Sequence, residues 1–496
     1  MRVPHTAVKQ QPADRQTHTE RVGRNCLCPC KSGKKYKYCC LERDEAEERG
    51  QRLSRLLQGL FDLNGRLAQF EKYTTKVYCV PKLLSDFEDS RVDPDIATFD
   101  VVNSLFHAAL LRIPSTNALE GDLKEADFQK LIGYPPKQGE KAFSADVIAN
   151  VLDKLEMSGV SEAIISVNKQ AERNKVFREG WHGSLRFVAL DGWEPFCSYH
   201  RNCPQCLTRL VKRKLESGEV REEVQYYHRY VVAMLIDEQM DVTLDLEPVL
   251  PADIRDGPLK GERHEGELTA AKRLICRIKR TYPWVDVMVG DGLYSNGPFL
   301  TLLKELKMGA VLIAKKDGDE PLKEALSIWG KKPPDKVIDD ENSAERIELW
   351  DLKDLETLDS YKGKIRVVRG QVLKPQLEKP STWCMLVAGK ANRLSARQIL
   401  AAARGRWHIE NTGFNQWVSH WNLNHVFRHS ANALSAILSI WMLAFNLLQL
   451  FIYRRLKRAR RPRDPTDTIR HIVEVMLREV ATFSRPIPWQ EIIAFI

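Results

Sequence analysis

Arg186–Asp191 reads RFVALD, an apolar, β-branched run that ends in a carboxylate followed by glycine, and its reading decides the fold. Downstream, YVVAMLI (Tyr230–Ile236) and DVTLDL (Asp241–Leu246) are short runs of the same kind, so three strands of one sheet are expected. A helical stretch around Glu267–Arg280 follows, then VDVMVGD (Val285–Asp291), an apolar helix (Gly297–Lys307) and GAVLIAKK (Gly309–Lys316). Asp191 and Asp291 each end a strand and precede a glycine. Charged groups at the C-terminal tips of buried strands stand in the crevice where α/β sheets take ligands.

The order of three strands, helix, strand, helix, strand is that of an RNase H-like α/β core. Working outward, Lys336–Ile338, Arg346–Trp350, Lys364–Gly370 and Thr382–Gly389 are β-like pieces punctuated by Pro333, Pro334, Pro375 and Pro380, which reads as a β-rich insertion in that core. Helix resumes at Ser395, where SARQ fits a capping box, and is expected to run to at least His420. Upstream, the chain reads mostly helical from Glu45 to about residue 180; Val147–Leu155, after the candidate N-cap Ser144, is one example. The expected organisation is therefore a Cys-rich zinc module at 24–41 and a helical, DNA-binding region at 45–180. The first part of the core lies at 181–316, the insertion at 317–390, the final core helices at 391–460 and a helical tail at 461–496.

With 496 residues, 43% hydrophobic and 29% charged, the chain can bury two or three cores, which argues against disorder. A net charge of +10 suits a polyanionic partner, with basic clusters at Arg454–Arg463 and at Arg397, Arg404 and Arg406; a solvated charged face explains any single cluster equally well. The opening MRVPHTAVKQQPADRQ has no apolar secretory core, so a reducing, cytoplasmic location is expected. There the eleven cysteines read as metal ligands or buried thiols, with Cys79, Cys276 and Cys384 expected simply to be buried. Ala433–Tyr453 is about long enough to span a bilayer. Its interior Asn446 and Gln449 favour a buried helix, and no membrane association is expected.

Glu410 lies on the helix after Ser395, with Arg406 one turn earlier on the same face. Carboxylates converging from two strand ends and a helix suit hard divalent cations such as Mg²⁺ or Mn²⁺. Pattern alone leaves the bland alternatives open, because strand-end Asp residues form turns and a helix Glu beside Arg forms surface pairs. FVALDG, VGDGLYSNGPFL and RGRWHIENTGFN resemble the three acidic motifs of insertion-sequence DDE transposases of RNase H-like fold, and LDLEPVLP with GELTAAKRLI resembles their connecting stretch. The resemblance covers roughly residues 180–450. It implies that Asp191, Asp291 and Glu410 are metal-binding catalytic acids and that Arg406 contacts the DNA backbone. The family's third motif has the form Tyr, two residues, Arg, three residues, Glu, six residues, Lys; here Ala403 and Trp417 replace its Tyr and Lys. Arg404 and Lys315 are further candidate DNA contacts, with Lys316 beside the latter. Trp350 and Trp383 are candidates for stacking a flipped base, against core packing as the alternative.

NCLCPCKSGKKYKYCC places Cys28 and Cys30 opposite Cys39 and Cys40, four thiolates suited to tetrahedral Zn²⁺ in a segment too short to fold on its own core. It resembles the SEC-C motif, which has Gly where this chain has Lys31. A second group, FCSYHRNCPQC, spaces Cys197, His200, Cys203 and Cys206 by three residues, with His228 able to complete or replace a ligand; buried thiols and a surface His compete with a second zinc. The resemblance implies metal-dependent DNA strand cleavage and strand transfer at the ends of a mobile element. Its partners would be double-stranded DNA, as transposon ends and target, and a second copy of the chain in a synaptic homodimer. The alternative is a zinc-dependent DNA-binding or regulatory protein on a decayed transposase scaffold, which the Ala403 and Trp417 departures would suit.

Overall fold

The structure, a computed structural model, describes residues 23–41, 43–44, 65–134, 142–178, 185–214, 218, 220–237, 240–255, 260–314, 319–340, 345–374, 379–456 and 469–481. The chain divides into two units, Met1–Arg55 and Leu56–Ile496. In the first, Leu27 bridges to Lys35 and a single 3₁₀ turn covers Tyr36–Tyr38. Among its described residues the buried apolar side chains are Cys28 and Cys40, while Leu27 and Tyr38 are exposed.

The second unit opens with helices α1 (Arg66–Tyr78), α2 (Val80–Ser85), α3 (Thr98–Leu110), α4 (Thr116–Asp122), α5 (Ala126–Ile132), α6 (Ala145–Lys154) and α7 (Met157–Arg173). The helical pattern expected between Glu45 and Tyr73 lies outside the described residues up to 64. Ser144 is the N-cap of α6. The strands follow: β1 (Phe187–Trp193), β2 (Cys197–Ser198), β3 (Leu207–Lys214), β4 (Val220–Tyr227), β5 (Tyr230–Ile236) and β6 (Val242–Pro248). Next come α8 (Glu267–Thr281), β7 (Val287–Gly290), α9 (Gly297–Glu305), β8 (Gly309–Ile313) and α10 (Glu320–Trp329). The chain continues through β9 (Lys336–Asp340), β10 (Glu345–Leu355), β11 (Ile365–Leu373) and β12 (Ser381–Ala388) to α11 (Ala396–Gly405), α12 (Asn415–Trp421), α13 (Ala431–Leu450) and α14 (Ile469–Ala481).

Among the described residues, nine strands form one mixed sheet in the order β6-β5-β1-β7-β8-β12-β11-β10-β9. β1 pairs antiparallel with β5 and parallel with β7, β5 pairs antiparallel with β6, and β7 pairs parallel with β8. The β-like pieces after residue 317 do not form a separate layer. β12 adds antiparallel to β8 and carries β11, β10 and β9 outward, so these strands lengthen the same sheet. Between β1 and β5 the chain makes an unforeseen excursion, a small sheet of order β2-β4-β3 whose long strands are largely exposed and polar. Hairpin strands of that composition carry no buried alternation, which is why they escaped a reading built on apolar runs.

Every residue of β5 is buried, consistent with a strand covered on both faces, and α8 packs on β5 and β6. Ion pairs fix that helix: Arg277 bonds Asp245 and Glu247 at 2.5 Å each, and Arg273 bonds Glu247 at 2.6 Å and Glu265 at 2.8 Å. These contacts join LDLEPVLP to GELTAAKRLI. α13 packs against β6, α3, α6 and α7. The helix Ala431–Arg455 is long and apolar enough to cross a membrane by length and composition, and nearly all of it is buried inside the protein. Its Asn446 shows why a polar residue sits there. The side-chain amide receives the Thr243 N–H at 2.8 Å and donates to the Thr243 carbonyl at 2.7 Å, supplying the next rung for the edge of β6.

Candidate active site and metal centres

β1 and β7 run parallel in the register Phe187↔Val287, Val188↔Met288, Ala189↔Val289. The pairing ends there, two residues before Asp191, and β7 ends at Gly290, so Asp291 is the first residue past its C-terminal tip. β1 does not stop at Asp191 as expected, because Asp191, Gly192 and Trp193 remain paired with Val232, Val231 and Tyr230. The Gly192 N–H donates to Asp191 Oδ1 at 2.9 Å. Asp291 Oδ1 accepts the Leu293 N–H at 2.8 Å, and this Asx turn leads from β7 toward Asn296, whose side chain caps α9.

The expected single helix from Ser395 to His420 is broken. Its capping box is present in both halves, with Ser395 Oγ accepting the Gln398 N–H at 3.3 Å and Gln398 Oε1 accepting the Ser395 N–H at 3.0 Å. α11 nevertheless ends at Gly405, a π-helical turn spans Ile409–Phe414, and α12 follows. A π turn inserts an extra residue and re-aims the side chains beyond it. Here it carries Glu410. Gly413, in this turn, lies close against β5: a Cβ there would come within 2.8 Å of Met234 Cε. His408 Nδ1 lies 3.1 Å from Asp241 Oδ1, and Phe414 stacks on Trp193 with centroids 5.6 Å apart and planes 8° apart. Trp417 meets Trp193 edge-on at 5.1 Å. Trp193 is two residues past Asp191 and Phe414 four past Glu410, so the stack holds the two acids' supports together.

Arg406 bridges them. One nitrogen, Nη1, lies 3.0 Å from Asp191 Oδ2 and 2.7 Å from Glu410 Oε1, and the side chain is buried. Burial pushes the Asp191 carboxyl up to about 7, against the opposing pull of Arg406 and with the reinforcement of Glu267 and Glu410. Glu267, the first residue of α8, is raised by burial and by Asp291, with the Tyr294 hydroxyl (2.9 Å) opposing. Gly192 lies close under Glu267: a Cβ there would meet the Glu267 carboxylate, which would have to move from its hydrogen bond with Tyr294. Glu267 and the fully buried Tyr294 thus sit between the two aspartates electrostatically. Neither was singled out from sequence, since an acid in a helix's first turn is ordinary complement to the helix dipole.

The expected DNA contacts fare differently. Arg406 is engaged by the acids, and Arg404 pairs with Glu345 at 2.9 and 3.2 Å, which also holds Lys374 at 2.9 Å. Lys315 and Lys316 lie outside the described residues. Trp350 is a core residue: its Nε1 donates to the Lys332 carbonyl at 3.1 Å and Arg369 lies over its ring at 4.7 Å. Trp383 is partly buried against the core. Trp407 is exposed beside Arg406, with the guanidinium 5.2 Å from its ring centre. Ala403 and Trp417, the two motif departures, are both buried, and Trp417 also packs edge-on against Phe445 at 5.9 Å.

Among the described residues, two sets of Cys and His side chains bring their ligand atoms within 4.8 Å of one another. One is Cys28, Cys30, Cys39 and Cys40, with Sγ separations of 3.3 Å for Cys30–Cys39 and 3.8 Å for Cys39–Cys40. A tetrahedron of 2.3 Å Zn–S bonds has edges of about 3.8 Å, so this cluster could bind zinc. Lys31 has φ +60°, a left-handed conformation that favours glycine. The other set is Cys203, Cys206, His228 and His429. Cys197 and His200, two of the four residues spaced by three, do not belong to it; Cys197 is exposed and pairs with Tyr227 in the small sheet. Burial, then His429, lowers His228 to about 4, and burial raises the Cys206 thiol to about 11. Of the remaining cysteines Cys384 is buried, whereas Cys79 and Cys276 are exposed, contrary to expectation.

Residues 259–447 match the family model described as Transposase DDE domain. That span contains Glu267, Asp291, Arg406 and Glu410 and begins beyond Asp191, and it supports a DDE transposase. No match is found among curated proteins.

Proposed function

We propose that this chain is a DDE transposase that cleaves DNA at the ends of a mobile element and transfers the freed strand to a target. The observation that carries the reading is the meeting of Asp191 and Glu410 on Arg406, with Asp291 at the tip of the strand paired with β1 in one mixed sheet; an RNase H-like core is the reading this order supports. The donor set suits hard cations: Asp191, Glu410 and Asp291 offer carboxylate oxygens, and Asp191, raised chiefly by burial and further by Glu267 and Glu410, would regain its ordinary ionised form beside a cation. Asp191, Asp291 and Glu410 would hold Mg²⁺ or Mn²⁺, which would activate water or a DNA 3′-hydroxyl toward phosphorus and stabilise the leaving oxygen. Arg406 keeps Asp191 and Glu410 at a fixed separation and offsets their charge. Glu267 adds negative charge between the aspartates, and Trp193 with Phe414 fixes the π turn against β1.

Ala403 and Trp417 are the residues on which a decayed scaffold would rest, and both serve the core. Their burial explains the departures without loss of the acids. The Cys28, Cys30, Cys39 and Cys40 module is read as an SEC-C zinc site, with double-stranded DNA as partner and two copies synapsing two ends. The protein would work in the cytoplasm at the nucleoid. Linear DNA carrying the element's terminal repeats tests the reading: the wild type should nick it only with Mg²⁺ or Mn²⁺, and Asp291→Ala should not. Binding without nicking in either metal would overturn it.

A further inference from the structure

We infer that Cys203, Cys206, His228 and His429 hold a structural Zn²⁺ that pins the chain after the Glu410 segment to the chain leaving Asp191. The site stands on its own geometry and does not rest on the transposase reading. Cys203-Pro-Gln-Cys206 forms a tight knuckle: the Cys206 N–H donates to the Cys203 carbonyl at 3.0 Å, and the Cys203 N–H donates to Cys206 Sγ at 3.2 Å. Amide donation to sulfur stabilises a thiolate. The two sulfurs are 3.7 Å apart, close to the edge of about 3.8 Å that a tetrahedral zinc–thiolate pair requires. His228 Nε2 lies 3.3 Å from Cys203 Sγ and 3.4 Å from Cys206 Sγ, and His429 Nε2 lies 3.2 Å from Cys206 Sγ. All four ligand atoms lie within 4.8 Å of one another, and two thiolates with two imidazoles are a soft donor set that favours Zn²⁺ over Mg²⁺ or Ca²⁺.

The ligands come from three separate places in the fold. Cys203 and Cys206 lie between β2 and β3, and His228 sits in the turn from β4 to β5. His429 immediately precedes Ser430, the N-cap of α13. Neighbours hold that last ligand in place: Arg428 pairs with Asp153 at 2.8 Å, and Phe196 packs against both His429 and His228, with centroids at 6.1 and 6.3 Å. A metal here closes a loop of more than two hundred residues between Cys206 and His429. It thereby joins the chain leaving β1, which carries Phe196, to the segment that follows Glu410 through α12.

Zinc content of the purified full chain tests this. His429→Ala and Cys206→Ser should each hold one zinc equivalent fewer than wild type, while Cys197→Ser and His200→Ala keep the wild-type content. Unchanged zinc in His429→Ala, or loss in His200→Ala alone, would overturn the assignment. A second measurement uses the unaltered chain and so does not depend on variants folding. Cys203 and Cys206 should alkylate at least tenfold faster after zinc is stripped with a chelator and return to protection when Zn²⁺ is restored. Equal alkylation rates before and after stripping would overturn the proposal.

Discussion

Replacing Arg406 with alanine removes the cation shared by Asp191 and Glu410. Its side chain is 8% exposed, while those of Asp191 and Glu410 are 20% and 33% exposed. Breaking a fully buried pair costs about 3–5 kcal/mol because a charge is left without its partner; the partial exposure of the acids brings the expected loss to about 2–4 kcal/mol. At roughly 2 °C per kcal/mol, the scale for larger domains, the melting temperature in EDTA should fall by about 4–8 °C. Adding Mg²⁺ or Mn²⁺ should restore more of that loss in Arg406→Ala than it adds to wild type, because the cation then supplies the charge the arginine did. Thermal melts of both proteins with and without cation check this. An Arg406→Ala melt within about a degree of wild type in EDTA, or an equal cation effect on both, would refute the reasoning.

Three further outcomes are expected. Asp191 is raised to about 7 from 3.8, so its neutral carboxyl contributes stability that is fully present below about pH 4 and lost as pH rises through 7. In EDTA, wild type should match Asp191→Asn near pH 3.5 and fall progressively below it between about pH 4 and 7, by at most about 4 kcal/mol at pH 8, and urea titrations that show a pH-independent gap would count against that environment. Gly192→Ala drives a Cβ onto the Glu267 carboxylate and should cost about 1–3 kcal/mol, most of it regained in Gly192→Ala/Glu267→Ala; additive losses in the double variant would show that the two positions do not meet. Lys31→Gly relieves a left-handed lysine and should tighten zinc binding by the first module about two- to fivefold in a competition titration, net of glycine's greater freedom when unfolded, whereas weaker binding would contradict the strain argument.

The strands that place the aspartates were legible because their burial on both faces demands continuous apolar runs, which RFVALD, YVVAMLI and VDVMVGD supply. The capping box at Ser395 was legible for a similar reason, since two side chains and their spacing carry its whole signal. The π turn at Ile409–Phe414 was not: weak helix formers such as Asn411, Thr412 and Gly413 mark a soft spot but do not say that a π turn rather than a break will form there. Glu267 and His429 were missed for another reason: each reaches its partners through the fold, from about 75 residues after Asp191 and 223 after Cys206. Regular spacing pointed instead to Cys197 and His200, but the small sheet carries Cys197 into a strand pair with Tyr227. The β strands after residue 317 were readable as strands, yet nothing local says that β12 would pair with β8 and extend the core sheet.

Glu410 is the acid whose sequence motif is least complete, and its place beside Asp191 depends on Arg406 and on the π turn. The most direct test is therefore the rate at which Glu410→Gln nicks DNA bearing the element's ends in Mn²⁺, measured beside wild type and beside Glu345→Gln, an acid that pairs with Arg404 away from the aspartates. Glu410→Gln should bind the DNA and lose roughly a hundredfold or more in nicking, while Glu345→Gln nicks at close to the wild-type rate. Wild-type nicking by Glu410→Gln would contradict the three-acid site.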